Sequence, residues 1–92
     1  MSDHAIFKYE LGCLEKQVIN LPLGAKIIRV DDVEGKFYLW AMVNKTNPTE
    51  PRHIEMYKTG QPIPNPDGLT YLGLCTLFVA QELGLYTFER MH

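Results

Sequence analysis

The sequence predicts an all-β, or β-rich α+β, fold: one small antiparallel open barrel or sandwich of six to seven strands, with at most one short helix. Three observations carry this. Turn signals recur at short intervals, at Gly12, "LPLG" (21–24), Glu34 with Gly35, "NKTNPTEP" (44–51), Gly60, "NPDG" (65–68) and Gly84. Between them lie short runs rich in Ile, Val, Phe, Tyr, Trp and Leu, the side chains that suit a pleated surface. The first of these runs alternates with period two, the signature of a half-buried strand.

That run is "AIFKYEL" (5–11), in which Ala5, Phe7, Tyr9 and Leu11 share one face and Ile6, Lys8 and Glu10 the other. "KQVINLP" follows as a second strand ended by Pro22, with a turn at Gly24. "AKIIRVDD" and "KFYLWAMVN" flank Glu34 and Gly35 as a tight hairpin. A two-residue loop sets Val30 opposite Leu39. A bulged loop sets Val30 opposite Tyr38 and Ile28 opposite Trp40, so one residue of slip decides the face of Trp40. "RHIEMYKTG" is a further alternating strand, with Ile54, Met56 and Lys58 against His53, Glu55 and Tyr57. The last third, from Leu69, is the most apolar. A helix competes over 72–81, since Leu72, Thr76 and Val79 share a helical stripe, but its Thr, Tyr, Phe and Val content and the internal Gly73 and Gly84 favour two strands turning near 80–84.

"NPDG" suits a type I turn closed by a left-handed glycine, a three-residue hairpin loop bulged at Gly68. It pairs Asn65 with Leu69, Ile63 with Tyr71 and Gln61 with Gly73. Pro62 and Pro64 then lack a donor only on the outer edge, where proline is tolerated and blunts pairing with other chains. The same residues, Gln61, Pro62, Ile63 and Pro64, form a stiff extended surface that loses little entropy on docking to a partner.

Length and composition bound the function. The 92 residues make one domain over 1–92, with 1–4 a loose terminus, and a 46% apolar fraction suffices for one core. A formal charge of −2 gives no reservoir for phosphate contacts, so direct nucleic-acid binding is not expected. No apolar run approaches the ~20 residues of a membrane span, and the N-terminus has no secretory pattern. A cytoplasm is the expected location, and there Cys13 and Cys75, which lack metal-ligand spacing, are two free thiols.

Chemistry motifs are scarce. Ser2 is the only serine and sits at the terminus, which excludes a serine hydrolase. His4, His53 and His92 are scattered; no metal site is expected, and nothing in their spacing to Cys13 or Cys75 supports a thiol–histidine pair. Asp31, Asp32 and Glu34 read as a solvated hairpin tip. No cofactor is expected, and a non-enzymatic role follows. Arg52, His53, Tyr57, Lys58 and Thr59, with Gly60, are the densest gathering of cationic, aromatic and hydroxyl groups. They are the candidate site for a small anion or nucleotide, against a plain polar strand face ended by a turn glycine. Trp40 fits the core or its edge, or alternatively a partner interface.

The ordered series "FKYEL", "LPLGAK", "FYLWAMV", "MYKTGQPIP", "YLG" and "YTFE", over residues 6–90, resembles a family of small bacteriophage and prophage accessory proteins. The resemblance implies a viral accessory protein in the cytoplasm of a bacterial host. It carries over no activity, cofactor or catalytic residue. Three roles follow as expectations: binding and inhibiting a bacterial host protein, such as a defence component; sequestering a nucleotide signal, with Arg52, Lys58 and Thr59 on phosphates and Tyr57 or Trp40 on the base; or a small assembly subunit whose apolar strands over 72–86 pair between chains. A homodimer is the default assembly.

Overall fold

The structure, a computed structural model, describes residues 2–78 and 81–91. It is all-β, with seven strands: β1 (His4–Leu11), β2 (Lys16–Pro22), β3 (Lys26–Val33), β4 (Lys36–Asn44), β5 (Thr49–Lys58), β6 (Leu69–Phe78) and β7 (Glu82–Arg90). Among the described residues the only helical piece is one 3₁₀ turn, Pro66–Gly68. The strands form two antiparallel sheets, β1-β4-β3 and β2-β5-β7-β6. The apolar last third is the β6–β7 pair, as its β-branched and aromatic content favours, and residues 79–80, on which the expected turn partly falls, lie outside the described residues.

Glu34 (φ 52°) and Gly35 (φ 81°) both take left-handed conformations, the type I′ pattern of a two-residue hairpin. This settles the register: Val33 pairs with Lys36 and Val30 with Leu39. Phe37, Leu39, Ala41 and Val43 therefore point inward, where they meet Val30, Leu11, Leu21, Ile54, Met56, Cys75 and Leu85 in one core. Tyr38, Trp40 and Met42 point outward. Of the placements the sequence allows for Trp40, the core itself is excluded: it is half-buried on the outer face, outside the core cluster.

β3 closes the side of the sandwich against β6. Asp32 accepts the Thr76 N–H at 2.7 Å. A Cβ on Gly73 (φ +153°) would lie 2.6 Å from the Val30 side chain and 3.3 Å from its carbonyl oxygen, so only glycine allows this approach. β7 is interior to its sheet and β6 is covered by β3. Of the strands over 72–86, which the sequence reads as candidates for pairing between chains, β7 is flanked on both sides, and the outer edge of β6 faces β3 without a backbone ladder.

The proline segment differs most from expectation. Residues 61–65 form no strand, and β6 pairs with β7, Leu69 opposite Arg90, rather than with 61–65. The predicted edge hairpin does not exist. β5 and β6 are each antiparallel to β7, so they run parallel to one another with β7 between them. Chain leaving β5 must return to the opposite end of the sheet, about 17 Å along β7 and about 10 Å across it. A tight hairpin cannot do this, whereas a stiff extended strap can. Gly68 donates to the Asn65 carbonyl at 3.2 Å, so "NPDG" does turn, but the left-handed residue is Asn65 (φ 49°) rather than Gly68.

The strap crosses the outer face of the four-stranded sheet. Directly opposed residues share a face, so Arg90 shares one with His53, and Phe88 with Glu55. Arg90 binds the Glu55 carboxylate bidentately, at 2.8 and 2.9 Å, and also donates to the Asn65 and Pro64 carbonyls at 2.5 and 2.8 Å. One guanidinium thus pins strap to sheet. Beneath it, Glu55 is 6% and Tyr57 1% exposed. The Tyr57 hydroxyl donates to Glu55 at 2.5 Å, and Tyr57, Phe88 and Tyr71 run as neighbouring rings 6.2 and 5.4 Å apart.

Candidate interaction surface

Among the described residues, no strap crosses the other outer face, over β1, β4 and β3. Its cross-strand registers set side chains in rows. Ile6, Met42 and Lys26 form one row, Lys8, Trp40 and Arg29 the next, and Glu10, Tyr38 and Asp31 the third. The Arg29 guanidinium sits over the Trp40 ring at 4.4 Å from its centroid, and the Lys8 ammonium over Tyr38 at 4.6 Å. The two rings lie 6.1 Å apart. Arg29 also pairs with Asp31 at 2.6 Å, which holds that carboxyl below its ordinary range. Ile6, Met42 and Ile28 are 59, 43 and 46% exposed, an apolar flank to the charged aromatic rows.

This is a surface, not a pocket. Two cations and two anions balance in the central rows, and cations occupy the ring faces that a base would stack on. A single-strand nucleic-acid platform needs those faces free and a positive groove beside them. Aromatic, Met and Arg side chains on a flat sheet face suit a protein interface instead.

The expected anion site is not assembled. Arg52 points into the sandwich, where it is ion-paired with Glu89 and donates to the Ala25 carbonyl at 2.8 Å. Its side chain is 15% exposed. His53 and Tyr57 lie on the opposite face of the same strand, and buried Tyr57 has no ring face free for a base. Lys58, Thr59 and Gly60 are exposed and belong to a turn: Gln61 donates to the Lys58 carbonyl at 3.1 Å, and Gly60 (φ 85°) supplies the left-handed position. The Lys58 N–H, which an anion would need, already donates to the Gln61 side chain at 3.0 Å. Lys58 and Gln61 border a shallow cavity of about 280 Å³ with Cys13, Leu14, Glu15, Met56, Leu83 and Leu85. Its Glu15 carboxylate disfavours an anionic ligand. Pro62, Ile63 and Pro64 are exposed on the back of the strap.

Both cysteines are free thiols. Burial pushes Cys75 up to about 11, so it is no nucleophile at neutral pH. Among the described residues no three or more His, Cys, Asp and Glu gather as a metal site, and no helix is long and apolar enough to cross a membrane.

The model of a family described as a domain of unknown function (DUF7352) matches residues 2–92. The chain belongs to that family. No curated protein and no solved structure matches it. Reasoning from sequence missed Ile6, Lys8, Arg29, Tyr38 and Met42 as a surface. Charges at 8 and 10 did mark the outer face of β1. What joined them to Trp40 was the β1–β4 pairing, which spans non-consecutive strands.

Proposed function

We propose that this domain is a non-enzymatic binding protein that docks on another protein through the outer face of β1, β4 and β3. The observation that carries the reading is Trp40, held at the centre of an uncovered sheet face between Lys8 and Arg29. Aromatic and Arg anchors of this kind carry most of the energy of typical interfaces. The phage-like motif order points to a bacterial host protein as partner, such as a component of an anti-phage defence system, met in the host cytoplasm. The role is then inhibition by occupancy. The test is retention of bacterial lysate proteins on the tagged domain, compared with Trp40→Ala and Arg29→Glu variants of unchanged circular dichroism. A protein retained by wild type and lost from both variants supports the reading. Equal retention by all three, or none by wild type, counts against it.

A further inference from the structure

Four strands are outermost in the two sheets, β1 and β3 in one and β2 and β6 in the other; β3 and β6 face each other, which leaves the outer edges of β1 and β2. β2 is ended by Pro22. β1 is eight residues long, contains no proline and pairs with β4 without a bulge from His4–Asn44 to Leu11–Phe37. An edge that long and regular is a template for another strand unless something blunts it.

Its hydrogen-bonding groups can be assigned. Lys45 donates to the Asp3 carbonyl at 2.9 Å, which makes Asp3–Lys45 a hydrogen-bonded pair. Alternation then gives the same status to the pairs that Ala5, Phe7, Tyr9 and Leu11 make with β4. The N–H and C=O groups of His4, Ile6, Lys8 and Glu10 therefore aim away from β4, at the open edge, where the His4 N–H donates to the Ser2 hydroxyl at 3.1 Å and would exchange that bond for the new strand. Phe7 adds a second observation. It shares the inward parity of Tyr9 and Leu11, yet it is 41% exposed at the mouth between the sheets.

We propose that β1 pairs antiparallel with β1 of a second copy about a two-fold axis at Phe7, joining two three-stranded sheets into one of six. In this register Phe7 meets Phe7 as a non-hydrogen-bonded pair, where side chains approach most closely. Ile6 lies opposite Lys8 and His4 opposite Glu10, with all four as hydrogen-bonded pairs. Moving the axis to Lys8 sets lysine against lysine. Moving it to Ile6 leaves Glu10 without a partner. The Phe7 register alone uses the whole edge and opposes no like charges. The outer faces then run on continuously, so the dimer presents the Lys8, Trp40 and Arg29 row twice.

The test uses the full chain with Cys13→Ser. The Phe7→Cys variant brings two thiols together across the axis, at a spacing a disulfide spans. Mild oxidation should link it nearly completely. The Ala5→Cys variant, whose thiols fall about 14 Å apart along the strand, should not link. Light scattering should give twice the chain mass. Ile6→Pro, which removes an edge N–H but no bond to β4, should raise the dimer dissociation constant about a hundredfold. Should Ile6→Pro not fold, the two cysteine variants decide alone. A monomer at millimolar concentration overturns the proposal. So does equal linking of both cysteine variants, a dimer indifferent to Ile6→Pro, or protection of the Ile6 and Lys8 amides from exchange only when a different protein is added.

Discussion

The two outer faces of this sandwich are built from the same kinds of residue and put to opposite uses. Over β5 and β7, a tyrosine, a phenylalanine, a glutamate and an arginine are sealed beneath a proline strap. Over β4, a tyrosine, a tryptophan, an aspartate and an arginine stay in contact with solvent. The difference is one connection. Parallel β5 and β6 require a crossover, and the crossover covers whatever lies under it. The hairpin joining β3 to β4 covers nothing. Burial then changes what the charged groups do. Arg90 holds Glu55 in a low-dielectric site where neither tolerates loss of the other, whereas Arg29 and Asp31 remain screened by water.

Breaking the covered face should have the largest effect. Arg90→Ala leaves the Glu55 carboxylate buried and unpaired and frees the strap. A loss of about 3–5 kcal/mol is expected, read from urea denaturation. A loss below about 1 kcal/mol would mean that the pin does not hold. The pH dependence tests the same contact next. Arg90 first, and Tyr57 after it, hold Glu55 down at about 2 against an ordinary 4.5. A lowered folded value stabilises above the unfolded one and is lost as pH falls through the folded one. Wild type should therefore lose on the order of 2–3 kcal/mol between pH 4.5 and 2 from this group. Glu55→Gln should lack that part of the acid slope, and an unchanged slope would refute the assignment.

The strap itself comes third. Pro62 and Pro64 stiffen it chiefly by restricting the unfolded chain, so the double alanine variant should cost about 1–2 kcal/mol with an unchanged urea m-value. No change would mean that the strap gains nothing from rigidity. On the bare face, Arg29→Ala removes an exposed cation–π contact and a screened ion pair. It should cost under about 1 kcal/mol while weakening partner capture strongly. A large stability loss there would place Arg29 with the structural arginines and erase the contrast.

Much of the architecture was legible in short-range pattern. Alternation placed β1. Glu34 and Gly35 marked a turn, with the choice of loop left open, and Thr, Tyr, Phe and Val over 69–86 argued strand against helix. These features depend on neighbours one to four residues away. The site was less legible. "RHIEMYKTG" alternates, but Ile54 and Tyr57 are both buried because a strand interior to its sheet can be covered on both faces, and alternation cannot tell a strap-covered face from a wet one. Arg52 and His53 are adjacent in sequence and separated by the sheet.

By itself the sequence determined the all-β class, most of the turn positions (Gly84, read as a turn, lies inside β7) and the alternation of its strands, since backbone propensity and turn chemistry act locally. Only the tertiary structure decided that β7 inserts between β5 and β6, that the prolines strap a face instead of lining an edge, and that Trp40 faces outward beside Lys8 and Arg29. Those outcomes depend on which distant strands pair, and pairing is chosen by the joint burial of both sheets rather than by any one segment.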